Sequence, residues 1–152
     1  MAPNLRLKRS ALLSPELLAA YQSPPTELLI EENGTWLTPL EVRNLRGDFF
    51  VITPDNPSSR LFTEEKNAVR RSSLHNRIEK WGITSAPTRA RNPQGVWPDE
   101  LGFALWGLEL SIAHKISRRW GQFAFYLVEE EGVKVIVTES AGLFGRGKHN
   151  NN

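Results

Sequence analysis

The sequence predicts an α+β fold: a ferredoxin-like (split βαβ) antiparallel sheet with two helices on one face. Three observations lead there. Apolar runs of strand length alternate with helical periodicity in the order strand, helix, strand, strand, helix, strand. Thr63 and Gly82 bracket the first helical segment, and Gly121 ends the second. The 152 residues, 39% hydrophobic and 24% charged, suit one globular domain. An N-terminal helix and strand extension and a trailing C-terminal strand complete the expected architecture.

Residues 1–13 read as a flexible basic N-terminal tail, residues 14–140 as the single domain, and residues 141–152, rich in Gly and Asn, as a disordered tail. Ser14-Pro15-Glu16 opens a helix whose apolar face is Leu17, Leu18 and Tyr21, and Pro24-Pro25 stops it. A short strand follows at Thr26 to Ile30, then a turn at Asn33-Gly34. Thr38-Pro39 opens a further helical turn before Gly47. This N-terminal part is expected to extend the sheet or cover its second face.

The core unit begins with Phe49-Phe-Val-Ile-Thr53, an unbroken apolar run expected as a buried central strand. Thr63 caps the next helix, Glu64 and Glu65 occupy its first turn, and Gly82 ends it. Leu74, Ile78 and Trp81 form its inward stripe. Ile83 to Ala90 and Gly102 to Leu108 read as strands. The second helix runs from Leu110 to Trp120, with Ile112, Ala113, Ile116 and Trp120 inward and Gly121 as its stop. Strands at Phe123–Val128 and Val133–Val137 close the unit across Glu129-Glu-Glu-Gly132.

This order of up and down segments sends three polar stretches to one end of the sheet. They are Thr53–Ser59, Arg91–Glu100 and Trp120–Gln122. Loops on a rigid scaffold are where binding concentrates. Extending the first helix's stripe backwards from Leu74 reaches Arg71 or Arg70, then Asn67, so its inward row turns polar towards the same end. The candidate ligand-binding residues are Asn56, Ser59, Asn67, Arg71, Arg91, Trp97, Glu100 and Gln122, with Arg71 engaging an anion and the amides fixing orientation.

The run Thr53-x-x-Asn56-Pro57-x-Ser59, then Glu65-x-Asn67, then Asn92-Pro-x-Gly95-x-Trp97-x-x-Glu100, then Trp120-Gly-Gln122-x-Ala124, resembles a bacterial family of uncharacterised proteins, domain of unknown function 3293. The resemblance covers roughly Leu17 to Val137. Trp120 stands where the family typically has Phe, and Pro54 where it has a small residue. The resemblance implies a small, mostly single-domain bacterial protein and implies no activity.

Composition narrows the chemistry. The chain has no Cys, which excludes disulfides, thiolate metal sites and a Cys nucleophile. The three His are scattered, so no metal site or cofactor is expected. No apolar run approaches the roughly 20 residues of a membrane span, and a cytoplasmic location is expected. Net charge is +2 overall, but residues 60–92 carry eight Lys/Arg against three Glu, while residues 16–50 carry six acids against two bases. Hence the partner is expected to be a small polar or anionic ligand or a protein.

Three functional readings follow in order of preference. The first is a non-enzymatic binding or regulatory module using the polar loop end. The second is nucleic-acid binding through Trp106, Phe123, Phe125 and Tyr126 with Arg70, Arg71, Arg77, Arg118 and Arg119. The last is a small hydrolase-like enzyme using Glu100, with Asp99 and Trp97 beside it. No His has an evident path to Ser58 or Ser59. Phosphate at the first helix's N-terminus, near Arg71, Arg89 and Arg91, lacks the glycines of a P-loop.

Overall fold

The computed structural model describes residues 27–91 and 98–139. Seven strands and three helices follow one another among the described residues. They are β1 (Glu27–Glu32), β2 (Thr35–Leu37), α1 (Pro39–Arg46), β3 (Phe49–Ile52), α2 (Glu64–Trp81), β4 (Thr84–Arg91), β5 (Glu100–Trp106), α3 (Leu110–Arg119), β6 (Ala124–Glu129) and β7 (Gly132–Val137). A short 3-10 turn, Pro57–Ser59, precedes α2. All strands join one antiparallel sheet in the order β2-β1-β4-β5-β3-β6-β7.

The α+β class is as the sequence predicts, but the sheet is larger than a ferredoxin-like fold. β1 pairs with β4 and carries β2 beyond it, and β7 extends the far side from β6. The reason lies in β4. Its edge would expose unpaired backbone groups, and β1 covers that edge from Glu27 opposite Arg91 to Ile30 opposite Thr88. Asn33 and Gly34, both with positive φ, make the tight turn that feeds β2.

Both faces of the sheet are covered. All four residues of β3 are buried, and alternation divides them. Phe50 and Ile52 join Leu74 and Ile78 of α2, Ala113 and Ile116 of α3, and Trp120, Leu105 and Phe125. Phe49 and Val51 point the other way, to Val42 of α1 with Leu28, Ile30, Ala86, Ala104 and Val128. The two expected helices therefore share one face, and α1 closes the second. The N-terminal helix expected at Ser14 to Tyr21 and both expected tails lie outside the described residues; among the described residues α1 covers the second face.

Local chemistry explains the ends of these helices. Thr38 Oγ1 accepts from Glu41 N at 3.4 Å and Glu41 Oε1 accepts from Thr38 N at 2.9 Å, a reciprocal capping box with Pro39 at the first position. α1 buries only Val42, so its packing against the sheet is slight and its ends matter. Thr38→Ala is expected to lower global stability by about 1 kcal/mol, measured as a shift of the urea midpoint at unchanged slope. Thr63 caps α2 by accepting from Lys66 N, and Gly82, at φ 70, ends it in the left-handed conformation.

Two helix stripes fall short of their expected extent. Trp81 is 43% exposed and Ile112 38%, so neither is core. The exposed residue is the last of the α2 stripe and the first of the α3 stripe, whose far end, Trp120, is buried. His114, one of the three scattered histidines, is buried. Its ring packs edge-on against Phe125, and Nδ1 accepts from Glu139 N at 3.1 Å. Beside it, the buried hydroxyls of Ser117 and Thr138 share a hydrogen bond of 2.8 Å, fastening the end of β7 to α3.

A polar frame at the loop end

β3 stops after Ile52 because Pro54 has no N–H to continue the ladder. Side chains replace what the ladder loses. Thr53 Oγ1 donates to Leu101 O at 2.6 Å, and Leu101 N donates to Asp55 Oδ2 at 3.0 Å. The chain can cross this closely because Gly102 lies beneath it. A Cβ there would stand 2.6 Å from the Ile52 carbonyl oxygen and 2.8 Å from Thr53 Cα.

Asp55 is 1% exposed and is tied down by Arg71, whose Nη1 reaches Oδ1 at 2.9 Å and Oδ2 at 2.8 Å. The other terminal nitrogen of Arg71 donates to the exposed Glu64. Burial pushes the Asp55 carboxyl above the usual aspartate range, opposed by the Leu101 N–H and by Arg71. Burial also works to lower Arg71, but Asp55 and Glu64 outweigh it and raise the guanidinium. The Asp55 carboxyl therefore takes a proton more readily than a free aspartate.

Asn56 is the hub of the loop. Its backbone is left-handed, at φ 50 and ψ 60, which Asn tolerates better than most residues. Asn56 N donates to Asn67 Oδ1 and Asn67 Nδ2 donates to Asn56 Oδ1, both at 3.0 Å. Asn56 Oδ1 also accepts from Phe62 N at 2.9 Å, and its Nδ2 donates to Glu100 Oε2 at 2.9 Å. Thus one side chain holds the loop to α2 and to the start of β5.

The turn after α3 closes the frame. Ser58 N donates to Gly121 O at 2.7 Å. Gln122 Nε2 donates to Asp55 O at 3.0 Å and Trp120 O at 3.3 Å. Arg70 clamps the two loops, with Nε donating to Pro54 O at 2.7 Å and Nη2 to Trp120 O. Its pKa is lowered by burial, partly offset by Asp55.

The structure thus brings Asn56, Asn67, Arg71, Glu100 and Gln122 into one connected network. Arg91 stands apart on the rim, 3.7 Å from Glu27 and 3.9 Å from Asp99. The backbone of Ser59 lies in the 3-10 turn. Trp97 lies outside the described residues. Sequence reasoning missed Asp55 and gave Arg70 only as an alternative to Arg71. The signal for Asp55 was present: a guanidinium on a buried stripe requires a carboxylate, and Asp55 is the sole acid between Thr53 and Thr63.

Other chemistry is thin. Phe123 and Phe125 are buried, and Trp106 and Tyr126 pack against the α1-side core, so these aromatics form no open stacking platform. His75 stacks on Phe103 and sits 3.7 Å from Glu79. Among the described residues no group of three or more His, Asp or Glu could hold a metal ion, and no helix is long and apolar enough to cross a membrane.

No curated protein and no solved structure matches the chain. A family model does: residues 52–125, from the last residue of β3 into β6, match the one described as Protein of unknown function (DUF3293). That stretch contains the Asp55–Arg71 pair, the Asn56–Asn67 pair, Glu100 and Gln122, so the polar frame lies within the part of the chain that is similar to the DUF3293 family.

Proposed function

We propose that this protein is a non-enzymatic binding or regulatory module whose ligand meets the loop end framed by Asn56, Asn67, Arg71, Glu100 and Gln122. Ser59, Arg91 and Trp97 belong to the same proposed surface. We also read the inner strands, ordered β4-β5-β3-β6 with α2 and α3 on one face, as a ferredoxin-like unit enlarged on both sides. The observation carrying the functional reading is the buried ionic and amide frame itself. An apolar contact would hold two loops at lower desolvation cost, whereas directional polar bonds fix where the loop backbones stand.

The internal partners of Arg71 change how an anion would bind. Its guanidinium already holds Asp55 and Glu64. The ligand therefore meets the rim, at Arg91 and the exposed backbone of the loops, with Arg71 positioning rather than contacting. A hydrolytic role for Glu100 has less support, since Asn56 engages its carboxylate and neither His75 nor His114 belongs to the network.

Amide NMR of the full-length chain titrated with inorganic phosphate, citrate and a panel of dicarboxylates tests this reading. Saturable shifts are expected at Asn56–Phe62, Glu100–Leu101 and Trp120–Gln122, with weaker binding in Arg91→Ala. Shifts confined to other surfaces, or Arg91→Ala binding as the wild type, would exclude the loop end. Salt-dependent binding of single-stranded RNA with shifts spread over α2 and α3 would favour the nucleic-acid reading instead.

A further inference from the structure

A second site stands apart from the loop end. A groove of about 720 Å³ lies between the C-terminal end of α2 and the length of α3. Its apolar wall is Trp81, Ile83, Leu108, Ile112 and Ile116, and along α3 it also meets Lys115, Arg118 and Arg119. Lining cations outnumber the single acid, Glu109, three to one.

Each element has a local cause. Gly82 turns the chain at the end of α2 and leaves Trp81 outside the core, with the Arg77 guanidinium 6.0 Å above its ring. Gly107, at φ 79, turns β5 towards α3 and brings Leu108 into the groove lining. On α3, Ile112, Lys115, Ile116 and Arg119 recur at helical spacing and so lie along one side. The apolar end is near Leu108 and Ile112. The cationic end is near Lys115 and Arg119, where the Arg119 guanidinium lies 5.5 Å from the Trp120 ring.

We propose that this groove binds a medium-to-long-chain aliphatic carboxylate, its chain on Trp81, Ile83, Leu108 and Ile112 and its carboxylate at Lys115 and Arg119. The volume falls within the range of ligand pockets, roughly 300–1,000 Å³. Charge decides the occupant. An uncharged apolar ligand would gain nothing from Lys115 and Arg119, and a basic segment such as Arg6-Leu-Lys-Arg9 of this chain would be repelled by them. The claim is independent of the loop-end reading, because the lining shares no residue with the polar frame.

The test is NMR of the full-length chain titrated with decanoate below its micelle concentration, with hexanoate as the short-chain comparison. Saturable shifts are expected at the Trp81 indole, Leu108, Ile112 and Lys115, with hexanoate binding at least about tenfold more weakly. Lys115→Glu/Arg119→Glu and, separately, Ile112→Asp should each weaken decanoate binding about tenfold or more, at unchanged thermal midpoints. Three results would overturn the proposal. They are no saturable shift in the groove, equal decanoate affinity in the charge-reversed variant, and concentration-dependent self-association lost in Ile112→Asp, which would make the occupant a second copy.

Discussion

Asp55→Ala is expected to destabilise the protein by about 3–5 kcal/mol, the cost of removing one partner from a buried ion pair. Two groups lose their bond at once. Arg71, only 15% exposed at its side chain, keeps just the exposed Glu64, and Leu101 N loses its acceptor. Urea unfolding of the variant against wild type measures the loss, and a difference below about 1 kcal/mol would mean the frame is not structural. Asp55→Asn should cost less, since its amide oxygen can still accept from Leu101 N.

The same pair of proteins reports on proton linkage. Burial raises the folded-state pKa of Asp55 above its unfolded value. The folded state then binds the proton more readily, so this group's stabilising contribution is complete below the unfolded pKa and is lost as pH rises through the folded one. Asn at position 55 cannot titrate. Wild type should therefore gain stability relative to Asp55→Asn as pH falls from 7 towards 4, and unfolding at several pH values would detect the slope. A relative loss over that window would mean that Arg71 outweighs burial.

Gly102→Ala is the second large effect, expected at roughly 3 kcal/mol, at the upper end of overpacking costs. The added methyl would meet backbone on both contacts, Ile52 O and Thr53 Cα, so no flexible side chain can yield. Relief requires lifting β3 from β5 where Thr53 and Asp55 reach Leu101. The variant should lose hydrogen-exchange protection at the Leu101 amide before the centre of the sheet. Unchanged protection there would show that the crossing is not tight.

How much of this was legible in the sequence depended on the range of the interaction. The Phe49–Ile52 run, the Thr63 and Gly82 caps and the order of elements are local signals, and the central strand, both main helices and their shared face follow from them. β2 was not readable, because three residues are too few for a period and its pairing depends on the Asn33-Gly34 turn. Trp81 and Ile112 had the right spacing but the wrong surroundings, since periodicity gives a direction and not what lies there. His114 reads as polar until Phe125 and Glu139 are placed beside it. In the candidate site, Asn67 and Arg71 were signalled by a helical stripe turning polar. Asp55 resembles any solvated loop acid until α2 is laid across it.

The hub residue has a chemical consequence through its neighbour. Spontaneous loss of an asparagine side-chain amide proceeds by attack of the following residue's peptide nitrogen, and that nitrogen must carry a hydrogen. After Asn56 the following residue is Pro57, whose ring nitrogen has none. The amide that holds Phe62, Asn67 and Glu100 together is thereby shielded from the main route of ageing.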